Sequence, residues 1–216
     1  SLSLLSPRTI HIFYRHVHSK ADKNSRDPNK QRPDWFSYER CFRNLLTTIR
    51  SDPLGYRVKI TVMFDGKYDD FVEDFISGYQ ANAEYGIDLQ FLEGGSDKNS
   101  ALITLNHMFQ SKIPPDDVVY MLENDYMHVP GWVSKVMELF DSSVAFDYLS
   151  LYDHKDKYFL DMYANLQSKL VISPSHHWRT APSSCGSYLV KMGTFRADFD
   201  VLGQGLPDYH FFKLLV

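Results

Sequence analysis

Long apolar runs are missing from this chain, as are internal repeats, low-complexity tracts and any cysteine spacing that suits a metal. No stretch approaches the roughly 20 apolar residues that a membrane-spanning helix needs. Residues 1–6 lack the charged and apolar regions of a signal peptide. Two cysteines, Cys41 and Cys185, form no disulfide framework, so a reducing, cytoplasmic compartment is the expectation. The net charge of -4 gives no reason to expect nucleic acid as a partner. What the chain does have is 216 residues, 44% hydrophobic and 15% aromatic. That is enough to bury one good core, so a single domain over 1–216 is expected. The first residue is not Met and the chain ends inside an apolar run at 211–216, which suggests one domain of something longer.

Periodicity then sets out the elements. Residues 9–14 alternate and are β-rich, giving a first strand. Residues 19–33 are polar and basic, a solvated loop or a flap, with Arg32 at its ordered end. Ser37 opens an amphipathic helix through 49, with Cys41, Phe42, Leu45, Leu46 and Ile49 at helical spacing. A second strand at 58–64 ends in Asp65-Gly66, and 68–83 reads as one helix with Phe71, Phe75, Ile76 and Tyr79 inward. A third strand at 88–92 leads through Gly94-Gly95 into a helix over 97–110, with Ser96 as its N-cap. Strands alternating with helices at this spacing predict right-handed βαβ units, hence an α/β fold with a mostly parallel central sheet and helices on both faces. Later strands are expected at 148–152, 170–173, 178–181 and 187–190, helices at 192–198 and from Asp208.

The stretch 117–132 organises the rest. Its apolar run, 118–122, stops at Glu123-Asn124-Asp125, and Pro130-Gly131 and an amphipathic segment follow. Read as a buried strand, it carries two carboxylates at i and i+2, which the strand's period of two puts on one side. Ligands of open α/β sheets bind beyond the carboxyl ends of the strands. Paired oxygen donors there suit Mg²⁺ or Mn²⁺. The same residues also suit a plain turn in which Asp125 caps the helix at Trp132.

This order of features resembles the GT-A glycosyltransferases, most closely the inverting family-2 type, over nearly the whole chain. The resemblance implies a nucleotide-binding half at about 8–130 and an acceptor half at about 131–216. It implies that Asp65, with Gly66, sits against the nucleotide base, and that Lys98 and Asn99 open a helix beside the donor. Glu123-Asn124-Asp125 would be the metal motif, with Asp125 and Glu123 holding Mn²⁺ or Mg²⁺. Residues 183–190 would form the acceptor-side wall and Asp208 would be the general base. Three departures stand out: Glu replaces Asp at the first motif carboxylate, Pro207 precedes the base where an acid is usual, and the loop after the first strand is long. Glu for Asp shifts the charge by one methylene, which favours a water-mediated or ribose contact over direct ligation.

The chemistry asks for the same residue types. A nucleoside diphosphate leaves only when its charge is neutralised, by an ion on Asp125 and by basic groups such as Lys98, Arg15 or Arg32. Tyr14 neighbours Arg15 at the end of the first strand and joins the nucleotide side. An acceptor hydroxyl needs a carboxylate to take its proton, the role of Asp208, which suits an N-cap almost as well. His154 and His210 fall in the acceptor half, and Trp178 beside Arg179 offers a sugar a flat apolar face and a planar donor, or else packs in a hairpin. The expected function is transfer of a sugar from a UDP- or dTDP-linked donor to a hydroxyl of a glycan or other acceptor, with inversion. A binding module that kept the fold without catalysis is the alternative. A metal-dependent phosphohydrolase would want more carboxylates and histidines at strand ends.

Overall fold

The structure, a computed structural model, describes residues 8–18 and 32–205. Six strands form one sheet in the order β3-β2-β1-β4-β8-β5. These are β1 (Ile10–Val17), β2 (Val58–Asp65), β3 (Ile87–Leu92), β4 (Val118–Glu123), β5 (Tyr148–Leu149) and β8 (Tyr188–Lys191). The first four are mutually parallel, and β8 runs antiparallel to both β4 and β5. The expected α/β fold with a mostly parallel sheet is therefore present, made mixed by β8. A separate hairpin pairs β6 (Leu170–Ile172) with β7 (His177–Arg179).

Alternation along the strands divides the interior into two cores. Ile10, Ile12 and Tyr14 of β1 and Val118, Tyr120 and Leu122 of β4 face one side, against α1 (Tyr38–Arg50), α2 (Tyr68–Glu73), α3 (Phe75–Ala81) and α5 (Trp132–Asp141). Phe13, Val119 and Met121 face the other, against α4 (Asp97–Gln110), α6 (Met192–Ala197) and α7 (Phe199–Leu202). On α1 the buried stripe is Cys41, Phe42, Leu45, Leu46 and Ile49, and Ser37 caps it by accepting from the Arg40 N–H at 3.0 Å. Each fully buried Leu or Phe of these cores contributes on the order of 1.5–3 kcal/mol. Among the described residues no helix is long and apolar enough to cross a membrane.

Where the structure departs from periodicity, a tertiary contact explains it. The single helix expected over 68–83 is broken at Asp74, which caps α3 by accepting from the Ile76 N–H at 2.9 Å. Asp74 is spent there because it is buried between two histidines. His16 Nε2 lies 3.0 and 3.1 Å from its two oxygens, and His18 Nδ1 2.8 Å from one of them. Burial alone would raise this carboxyl's pKa, but the bonds from His16, Ile76 and His18 outweigh it and hold the group below its ordinary value. The strand expected over 148–152 pairs only at Tyr148–Leu149, because the chain then turns and puts Tyr152 against the Tyr126 ring. The helix expected from Asp208 lies outside the described residues.

Asp74→Ala should cost about 3 kcal/mol or more, since it strands the buried His16 and the half-buried His18 and removes a helix cap. Urea unfolding measures the loss; a midpoint within a few tenths of a molar of wild type would show that the cluster carries no stability.

Candidate functional site

Strand connectivity locates the site. From β1 the chain moves to β2 and β3, then returns to place β4 on the other flank of β1. Such a reversal opens a crevice at the carboxyl ends of the two diverging strands. Tyr14 and Arg15 on β1 stand in register with Leu122 and Glu123 on β4, so the crevice opens at Arg15 and Glu123. Tyr14, expected on the nucleotide side, and Leu122 are buried in the α1-side core.

Arg15 is the centre of the crevice. It follows Phe13 on the face that packs α4, and only 8% of it is exposed. Its Nη1 donates to Glu123 Oε1 at 3.1 Å, while Nη2 donates to the Asp97 carbonyl at 2.9 Å and its carboxylate at 2.6 Å. Nε has no partner among the described residues. Burial pushes the Glu123 carboxyl up to about 7; Arg15 opposes the shift, while the negative charges of Asp125 and Asp97 add to it. One guanidinium shared by two acids compensates each only in part. The Glu123 N–H donates to Ser187 Oγ at 3.1 Å. Gly186 has a φ of +80°, which strains any side chain, and a Cβ there would also crowd the Glu123 carboxylate at 3.2 Å.

Asp125 does not share that environment. β4 ends at Glu123, so the two-residue alternation stops before Asp125, which sits in the following turn. Its carboxylate is ion-paired with Arg32, whose guanidinium also lies 5.0 Å over the Phe36 ring. The expectation of two carboxylates on one side of a strand is thus corrected to two neighbouring carboxylates, each held by its own arginine. Asn124 between them is pinned from the α1 side. Its carbonyl accepts from Tyr14 OH at 3.3 Å, and its side-chain amide donates to His16 Nδ1 at 2.9 Å.

Asp65 closes the β2 side of the crevice, where its Oδ1 accepts from the Gly94 N–H at 2.9 Å. A Cβ on Gly94 would fall 2.6 Å from Asp65 Oδ2 and 2.7 Å from the Ser100 nitrogen, so only glycine lets the turn approach. The Gly66 N–H donates to the Leu92 carbonyl at 3.0 Å. Ser96 caps α4, taking the Asn99 N–H at 3.2 Å, and Lys98 and Asn99 are exposed on the first turn. Lys98 lies against Gly205, where an added Cβ would approach its Cε to 2.8 Å.

Among the described residues, the acceptor-side candidates Trp178 and Arg179 do not share a face. Trp178 and Arg179 occupy alternate positions of β7 and so face opposite ways. Trp178 Nε1 donates to Ser173 Oγ at 3.0 Å and its ring packs on the core. Arg179 bonds Asp153 at 2.5 Å and Tyr158 OH at 2.7 Å. The His154 ring stands edge-on to Tyr152. Asp208 and His210 lie outside the described residues. Asp97 was legible only as the start of a helix, and Gly186 and Ser187 only as part of the small-residue wall at 183–190; their contacts with Arg15 and Glu123 were not.

Among the described residues no group of three or more His, Cys, Asp or Glu is arranged to hold a metal ion. No protein-family model matches the chain, and no curated protein shows a significant match to it.

The Glu123 carboxyl should titrate near pH 7 in the carbon NMR spectrum, and Arg15→Gln should move it higher. Because the folded state keeps this proton well above the ordinary value of 4.5, the group's contribution to stability falls as pH rises from about 4.5 to about 7. A midpoint near 4.5 would mean that the carboxylate is solvated rather than buried.

Proposed function

We propose that the chain is a metal-dependent glycosyltransferase of GT-A type, moving a sugar from a UDP- or dTDP-linked donor to a hydroxyl of a glycan or other acceptor. The observation that carries this reading is one crevice, at the switch point between β1 and β4, gathering Arg15, Glu123, Asp125, Asp65 and the start of α4. A glycine turn running into a capped helix N-terminus suits the diphosphate. Asp65 is an acceptor-only group, which suits the N3–H of uracil or thymine and disfavours cytosine.

The donor set on Asp125 and Glu123 is all oxygen, and Mg²⁺ and Mn²⁺ take one or two carboxylates and fill their remaining positions from phosphate and water. An ion bound there supplies charge neutralisation for the leaving diphosphate. Arg32, which lies on Asp125 and is a third exposed, is placed to turn its fork toward phosphate oxygens as substrate enters, while the buried Arg15 keeps Glu123 in position. Asp208 takes the acceptor proton in a single in-line displacement that inverts the anomeric centre. Gly205, three residues before it in the chain, lies against Lys98 at the start of α4. The arginine already standing on each carboxylate also favours a second reading, a module that binds nucleotide sugar without turnover.

Asp125→Asn should abolish the Mn²⁺-dependent part of UDP binding while leaving the fold intact. Calorimetry with and without chelator reads this directly; equal wild-type affinity in chelator would sink the metal role.

Asp208→Asn should lower turnover by about 10²–10⁴-fold with donor affinity preserved, as expected for loss of a positioned base. Near-normal turnover would remove Asp208 from the mechanism, and a wild-type product retaining the donor's anomeric configuration, read by NMR, would exclude single displacement.

A further inference from the structure

The two carboxylates at the end of β4 are held by arginines of different character. Arg15, on Glu123, is 8% exposed and commits its fork to two acids and a carbonyl, so it is built into the sheet. Arg32, on Asp125, stands at the surface. Its side chain is 34% exposed and that of Asp125 22%, and Asp125 is the one acid it pairs with among the described residues. Its second anchor is apolar. The guanidinium lies 5.0 Å from the centroid of the Phe36 ring, and Phe36 is itself buried and so fixed in place. A ring face holds a cation without a directional bond, so the fork can turn while the contact survives.

Strength separates the two arginines further. Stranding a buried charge is costly, whereas a partly exposed ion pair holds its members together by only about fivefold or less. Arg15 therefore stays on its acids, and Arg32 can exchange Asp125 for another anion with little loss. Phosphate is such an anion, since its oxygens take the guanidinium fork as a carboxylate does. The ion position has the complementary problem. A divalent cation needs the Asp125 oxygens free, and in the unliganded protein a guanidinium sits on them. An ion arriving alone must evict a cation and leave it without a partner. An ion arriving with a diphosphate brings the anion that takes the evicted guanidinium, and the charges of the two newcomers largely cancel.

We infer that Arg32 is a releasable counter-ion for Asp125, blocking the divalent-ion position in the free protein and vacating it when a diphosphate draws the guanidinium away. Ion and nucleoside diphosphate then bind as a coupled pair, each strengthening the other by the same factor. That both enter this crevice rests on the proposed transferase reading.

Binding measurements on the whole chain, wild type and Arg32→Gln, test this without any measure of turnover: paramagnetic resonance for Mn²⁺ and calorimetry for UDP. Mn²⁺ alone should bind Arg32→Gln about fivefold tighter than wild type, because the competing cation is gone. UDP should raise Mn²⁺ affinity in the wild type by about fivefold more than in the variant, since only the wild type has a guanidinium to release. A reading on the wild type alone comes from nitrogen NMR. The Arg32 Nε–H signal, identified by its absence from the variant, should shift on adding UDP with Mg²⁺ and stay in place with Mg²⁺ alone. Mn²⁺ affinity that is unchanged or weaker in Arg32→Gln, equal coupling in the two proteins, or an Arg32 signal indifferent to UDP with Mg²⁺ would overturn the inference. Ion-dependent UDP binding that is alike in both proteins overturns the release of Arg32 alone and leaves the donor site standing. Failure of UDP to bind the wild type, with or without Mn²⁺, overturns the donor reading, and the inference falls with it.

Discussion

A buried guanidinium shared by two acids holds the working end of this sheet together. Arg15 comes from β1, Asp97 from the first turn of α4 and Glu123 from the last residue of β4, three elements far apart in sequence. A charge that is 8% exposed is tolerable only with partners in place, and stranding it costs far more than a surface pair contributes. The backbone of Glu123 extends the linkage to Ser187, just before β8. The helix start, both strands of the switch point and the approach to β8 therefore take their relative positions from one side chain.

The opposite face of the same turn is fixed by a second polar cluster. Asn124 bonds His16, His16 bonds Asp74, and Asp74 ends one helix and caps the next. Glu123 and Asp125 are thus presented by a peptide unit tied down on each side of the sheet. Tight fixing of this kind holds groups at set distances without reorganisation when charge changes nearby, which is the property a transferase of the proposed type needs.

Most of the sheet and its helices were legible because burial imprints its period on the sequence. Ser96 and the span of α4 could be read directly, and Gly94 could be flagged as a turn, although its contact with Asp65 could not. The unread features all depend on contacts between distant residues. Nothing local distinguishes Asp74 from the other acids of 68–83; its two histidines come from the end of β1 and the residue just after it. The departure of Asp125 from strand alternation follows from where β4 stops, and its arginine arrives from beyond β1. Trp178 and Arg179 are neighbours in sequence but opposed in space, because a strand separates what adjacency joins. The bond between Tyr120 and His128 was invisible for a similar reason, since one residue lies on β4 and the other in the loop beyond it.

The reversed direction of β8 has a consequence for how such a chain diversifies. Because β5 runs toward the crevice and β8 runs away from it, everything between them, 150–187, leaves and re-enters the sheet at the same end. Insertions, deletions or exchanges in that single excursion, short of the Gly186–Ser187 contact with Glu123, would remodel the rim around Tyr152 while leaving the four parallel strands and the Arg15 linkage untouched. Evolution, or an engineer, thus has one continuous cassette with which to change what the site accepts.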